Sequence, residues 1–232
     1  MAFITPAILE KDFSEIKNKL TFLRSRTKCV QIDFCDGIFV PNRSWPFTSG
    51  GFNDVDFRKI INEEAGLPFW QEFDFEFDLM VADAMENFDV YMKLGPKRMI
   101  FHLSAQKNIS EFEHFLESLD MYVRDHTEMG LAFRPSDDLA IVSCLSHRVD
   151  FLQCMGSDNM GRQGEIFSNQ ALENLKTLKR DLSGVVVSVD IGVNLDNAPD
   201  ILSAGADRLA VGSGIWKSPD PIEALQTFQS LV

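Results

Sequence analysis

Several short apolar runs in this chain end in side chains able to move protons or hold cations. In Cys29-Val-Gln-Ile-Asp-Phe-Cys35, residues Gln31, Asp33 and Cys35 are two apart and share one face of an extended segment. Val30, Ile32 and Phe34 share the other. In Phe73-Asp-Phe-Glu-Phe-Asp78-Leu-Met80, aromatic and acidic residues alternate with period two. Asp190 follows the run Val185-Val-Val-Ser-Val189, and His102 follows Phe101 at the end of another. A carboxylate on the inner face of a strand, near its C-terminal end, is where α/β barrels keep general acids and bases. Each residue taken singly has a plainer reading. A lone aspartate caps a helix or anchors a turn, and a lone histidine is a hydrogen-bonded packing residue. The alternation ending at Asp78 also describes an edge strand with one solvated face. Convergence at one rim is what makes these residues a candidate site.

Glycine-bearing turns supply the other half. Met160-Gly161-Arg-Gln-Gly164, Asp190-Ile-Gly192 and Val211-Gly212-Ser213-Gly214 each follow an apolar run. Backbone amides at such turns bind phosphate without cationic side chains. A single glycine more often answers a turn requirement; three in successive loops point to a phosphate grip.

The elements that must position these groups alternate along the whole chain. Strands are predicted at Phe3–Leu9, Cys29–Phe34, Phe73–Met80, Met99–Leu103, Gly130–Phe133, Val149–Cys154, Val185–Val189 and Arg208–Val211. Helical spacing predicts helices at Asp12–Arg26, Ala84–Leu94, Ser110–His126, Asn169–Arg180 and Pro221–Leu231. Strict strand–helix alternation implies parallel strands with helical crossovers. At 232 residues, closure into one (β/α)8 TIM barrel spanning 1–232 is the expected fold. The polar faces of the second and third strands then point into the barrel. The Gly-, Ser- and Asn-rich segment Arg43–Asp54 reads as a loop over a barrel mouth.

Composition bounds the function. A net charge of −13 argues against nucleic acid and anionic membrane as partners. The 45% hydrophobic content suffices for a large core, and the four cysteines have neither metal-ligand spacing nor a disulfide framework. No signal peptide opens the sequence and no run approaches the roughly 18 apolar residues of a spanning helix. A soluble, reduced, cytoplasmic protein is the expectation.

Read in order, the motifs resemble those of the ribulose-phosphate 3-epimerase family over nearly the whole chain. Gln31-Ile-Asp-Phe-Cys-Asp-Gly-Ile-Phe-Val-Pro-Asn42 is similar to that family's most specific signature, normally His-x-Asp-x-Met-Asp-Gly-x-Phe-Val-Pro-Asn. Thr5-Pro-Ala-Ile-Leu9, Phe77-Asp-Leu-Met-Val81, Phe101-His102, Gly130-Leu-Ala-Phe-Arg-Pro135, Val189-Asp-Ile-Gly-Val193 and Val211-Gly-Ser213 resemble the family's other landmarks. The resemblance implies epimerisation at C3 of a ketose phosphate, D-ribulose 5-phosphate to D-xylulose 5-phosphate, with Asp33 and Asp190 as the acid/base pair. It implies a sugar phosphate held by Met80, His102, Gly161, Gly164, Gly192, Gly212 and Ser213, and a homo-oligomer as one possible assembly.

In the family, two histidines and the two aspartates hold a metal. Here the histidine positions carry Gln31 and Asp78, so the implied ligand set is Gln31, Asp33, Asp78 and Asp190. All-oxygen donors favour a divalent metal ion such as Mg²⁺ or Mn²⁺ over Zn²⁺. Without a cation, three carboxylates at one rim repel and at least one takes up a proton. The alternative reading is a non-catalytic sugar-phosphate-binding homologue with a degenerate metal site. Related decarboxylases and aldolases carry an Asp-x-Lys-x-x-Asp motif, and Val30–Asp36 contains no lysine.

Overall fold

The computed structural model describes residues 2–232, apart from the side chain of Ser49; Met1, the first residue of the expected domain, lies outside the described residues. Eight parallel strands close in sequence order into a barrel. They are β1 (Phe3–Ile8), β2 (Cys29–Cys35), β3 (Asp74–Met80), β4 (Arg98–His102), β5 (Glu128–Phe133), β6 (Phe151–Met155), β7 (Val187–Asp190) and β8 (Arg208–Val211). Around them lie α1 (Phe13–Leu23), α2 (Val55–Ile61), α3 (Phe88–Met92), α4 (Ile109–Ser118) and α5 (Met121–His126). The rest are α6 (Leu139–Leu145), α7 (Asn169–Asp181), α8 (Ala198–Ser203), α9 (Ser213–Trp216) and α10 (Pro221–Gln229). The (β/α)8 architecture expected from the alternation is the one observed. No helix among the described residues is long and apolar enough to cross a membrane.

The period-two patterns resolve as a barrel requires. On β2 and β3 the rings of Phe34, Phe75 and Phe77 are fully buried between the barrel and its helices. Phe34 packs edge-on to Phe77 at 5.1 Å and lies 5.8 Å from Tyr91 of α3. Truncating a ring of this kind to alanine costs about 3–5 kcal/mol. The intervening residues Gln31, Asp33, Glu76 and Asp78 are buried as well, on the face that a closed parallel barrel turns inward. At the end away from the strand C-termini, Glu128 accepts from Arg98 and Arg208, each at 3.0 Å, so the acidic and basic side chains there are paired.

Two helical expectations change: the helix predicted over Ala84–Leu94 is confined to α3, Phe88–Met92. The helix predicted over Ser110–His126 is two helices, α4 and α5. Leu119 adopts extended backbone, and the Asp120 side chain then caps α5 by accepting from Val123 N at 2.8 Å. The segment Arg43–Asp54 is a loop with one 3-10 turn at Phe47–Ser49, anchored by Trp45, which is fully buried. Its ring packs against Phe13, Phe34 and Phe57, and its indole N–H donates to Asp54 at 2.8 Å. Helices α2, α6, α8 and α9, of four to seven residues, are not among the predicted elements; they are too short to display a full amphipathic period.

Candidate active site

Strand register brings the carboxylates together. Asp33 of β2 lies directly beside Asp78 of β3, and Asp190 ends β7 beside Met155 of β6. One oxygen from each of Asp33, Asp78 and Asp190 can be chosen so that all three lie within 4.8 Å of one another. Gln31 stands one inward position below Asp33. Its Nε2 donates to Asp33 Oδ1 at 2.8 Å and to Asp190 Oδ2 at 2.9 Å, bridging the two aspartates. Both oxygens of Asp78 are engaged, Oδ1 with His102 Nε2 at 2.5 Å and Oδ2 with Gln153 Nε2 at 3.0 Å.

Burial and mutual repulsion dominate the electrostatics. Burial, with the charges of Asp190 and Asp78 beside it, holds the Asp33 carboxyl well above the ordinary carboxylate range. Asp190 is pushed up to about 7, again first by burial and then by Asp78, while hydrogen bonds from Gln31 and the Ile191 amide pull it down. A cation among these groups would relieve both effects. Hard oxygen donors suit a divalent ion of the Mg²⁺ or Mn²⁺ type. Gln31 adds a further sign of fit, since its Oε1 is buried without a partner. Rotating the amide by half a turn presents that oxygen to the aspartates in place of the N–H group.

Asp33 and Asp190 also line a cavity that opens to solvent. Met80, Gly161, Gly164, Gly192, Gly212 and Ser213 line the same cavity, joined by Ala7, Arg162 and Gln163. Gly192 has φ +77°, and a Cβ there would lie 2.7 Å from Phe167 N, so the turn after β7 requires glycine. Gln31, Asp78 and His102 do not line the cavity. They are buried behind it, with His102 against Asp78 rather than facing a ligand.

The Asp-Gly-Ile-Phe-Val-Pro-Asn segment holds the rim together. Asp36 Oδ1 accepts from the amides of Ile38 and Phe39, and Oδ2 accepts from Ala82 N after β3 at 2.8 Å. Asn42 donates to Gly161 O in the loop after β6 at 2.8 Å. Gln153, which ties Asp78 to β6, is missed by sequence reasoning. Its signal is the same as that of Gln31, a polar residue inside an otherwise apolar buried strand.

The fold and site define an α/β barrel with an acidic centre and a glycine-lined cavity at its C-terminal rim. Solved structures agree on the fold. The 3-hexulose-6-phosphate synthase from Salmonella typhimurium superposes with a TM-score of 0.68 at 15% identity, covering 100% of this chain and 98% of that one. Orotidine 5'-phosphate decarboxylase from Pyrococcus horikoshii superposes at 0.59 and 14% identity, covering 100% and 98%. Sequence comparison is more specific. The model of the ribulose-phosphate 3 epimerase family matches residues 3–216. The ribulose-phosphate 3-epimerase of Escherichia coli K12 is 26% identical over 98% of this chain and 94% of its own length. That of Bacillus subtilis is 25% identical over 97% of each. The chain belongs to the ribulose-phosphate 3-epimerase family, a family of isomerases.

Proposed function

We propose that this protein epimerises C3 of a ketose phosphate, D-ribulose 5-phosphate to D-xylulose 5-phosphate, with Asp33 and Asp190 as the acid/base pair. The observation that carries this reading is that Asp33 and Asp190 are the acidic side chains lining the cavity, both with proton affinities raised above the ordinary carboxylate range, Asp190 to about 7. A group that takes and returns protons works best with a pKa near the working pH. One carboxylate removes the C3 proton, leaving an enediolate. The other delivers a proton to the opposite face of C3, which inverts the centre. Gln31, bonded to both, keeps them in fixed relation. His102 and Gln153 orient Asp78 behind them. A divalent ion, Mg²⁺ or Mn²⁺ in preference to Zn²⁺, would be held by Gln31, Asp33, Asp78 and Asp190, and when bound would act as the Lewis acid that offsets enediolate charge. Met80 closes the cavity over the sugar, and the turns at Gly161, Gly164, Gly192, Gly212 and Ser213 hold its phosphate.

A second reading, a sugar-phosphate binder without turnover, is favoured by one feature. Gln31 offers an N–H to the two aspartates, and Asp78 is occupied by His102 and Gln153, where the family signature carries histidines. Exchange of the C3 proton of ribulose 5-phosphate with deuterated solvent separates the two, measured on chelator-stripped protein with and without Mn²⁺. Metal-stimulated exchange, reduced by about 10²–10⁴-fold or more in Asp33→Asn and in Asp190→Asn, is the expected result. No exchange by folded protein under either condition rejects turnover of this substrate. Full activity in either variant removes that residue from the acid/base role.

A further inference from the structure

The loop after β6 carries two side chains that backbone phosphate binding does not need. It is fastened on several sides. Gly156 N donates to Asp190 O at 2.6 Å, Gly161 O accepts from Asn42, and Gln163 O accepts from Lys217 Nζ at 3.3 Å. A Cβ on Gly161 would meet Val40 Cγ2 at 2.8 Å, so the loop also lies flush on the β2 rim. Arg162 and Gln163 therefore project from a pinned stretch and both line the cavity. Arg162 is the one cationic side chain among the described residues that line it. Its guanidinium is exposed and has no hydrogen bond or ion pair among the described residues, although the chain carries 35 acidic residues to 22 basic ones. Gln163 Nε2 is buried without a hydrogen-bond partner and lies beside Gly212, where a Cβ would stand 2.9 Å from it. A buried donor left unmet is unfavourable until an acceptor reaches it.

We infer that Arg162 and Gln163 are phosphate-recognition residues, with Arg162 giving the phosphate of the ligand a charged clamp from the β6 side and Gln163 donating to it beside Gly212. This rests on the sugar-phosphate reading of the cavity but not on turnover. The ligand oxygens fill the orphaned amide donor, and the dianion meets the cavity's single cation. Recognition thus depends on charge as well as on turn amides, and binding is sensitive to ionic strength.

Calorimetric titration of ribulose 5-phosphate and of inorganic phosphate into wild type, Arg162→Met and Gln163→Met tests it, each at low and high salt. Folding of both variants is checked by their thermal melts. Arg162→Met is expected to weaken both ligands by about 10–100-fold at low salt and to flatten the salt dependence. Gln163→Met is expected to weaken them by about 2–10-fold, as for a neutral hydrogen bond. Unchanged affinity in folded Arg162→Met, or no binding of either probe by wild type, overturns the inference. Arg162-dependent binding without C3 proton exchange sustains it while removing the epimerase reading.

Discussion

Replacing Asp78 by asparagine gives a sharp test of the electrostatic account. The change keeps the size of the side chain. In Asp78→Asn the side-chain carbonyl can accept from Gln153 Nε2, and the new amide can donate to His102 Nε2 in the tautomer that carries its proton on Nδ1. That Nδ1 is a buried atom with no partner among the described residues, which offsets part of any gain. What is lost is one negative charge within 4.8 Å of two others. At that distance and an effective dielectric of about 20, each fully ionised pair repels by about 3.5 kcal/mol. The wild type avoids part of this by taking up protons, so a gain of about 2 kcal/mol at pH 8 is the reasonable expectation, or roughly 4–8 °C in melting temperature. The pH dependence has a definite sign. Asp190 has a folded pKa of about 7 against an ordinary value of 3.8. A carboxyl raised in this way contributes stability below 3.8 that is lost as pH rises through about 7. Chelator-treated wild type should therefore lose stability between pH 4 and pH 7, and Asp78→Asn should lose less. Mn²⁺ at about 100 times its dissociation constant should restore roughly 2.7 kcal/mol to wild type and much less to the variant. Thermal melts across pH, with chelator or Mn²⁺, read all of this. A variant less stable than wild type at pH 8 in chelator would show that repulsion is not what governs this site. Equal stabilisation of both proteins by Mn²⁺ would show that Asp78 is no ligand.

Asp78→His should raise affinity for Zn²⁺ or Co²⁺ relative to Mg²⁺, since imidazole suits the softer ions; an unchanged preference in metal titrations would place Asp78 outside the ligand set. Gly156→Ala should destabilise the fold by about 2–4 kcal/mol, because its Cβ would lie 2.0 Å from Ile191 O where the β6 and β7 ends meet. An unaltered melt would mean that the two strand ends can separate at no cost.

The barrel was legible because strand-like runs and helical stretches alternate along the chain, with β2 and β3 written in period two. Alternation of Phe75 and Phe77 with Glu76 and Asp78 has few outlets in a sheet with no water-facing side, and the interior face is where the acids lie. What stayed hidden depends on partners far off in sequence. His102 was legible as the polar end of a strand, but its attachment to Asp78 follows from the pairing of neighbouring strands. Gln153 sits within Phe151-Leu-Gln-Cys-Met155, where a single amide does not disturb the apolar run. The break between α4 and α5 was masked because Leu119 and Val123 continue the helical spacing of Phe112, Phe115 and Leu116 across it.

The second part of the signature, Asp36–Asn42, serves structure rather than chemistry. Asp36 commits its carboxylate to the amides of Ile38, Phe39 and Ala82, and Asn42 commits its amide to Gly161 O. These bonds lock the rims of β2, β3 and β6 against one another, so the motif secures a scaffold. On the proposed epimerase reading, proton transfer falls to Asp33, just ahead of that run, and to Asp190 on β7, with Gln31 and Asp78 directly behind them. Relative to the signature this sequence resembles, strand two carries a neutral amide and strand three an acid in place of histidines. Together these changes raise the negative charge that any ion at the site would meet. An all-oxygen donor set would suit a hard cation, and such an ion would relieve the repulsion that, with burial, raises the proton affinities of Asp33 and Asp190.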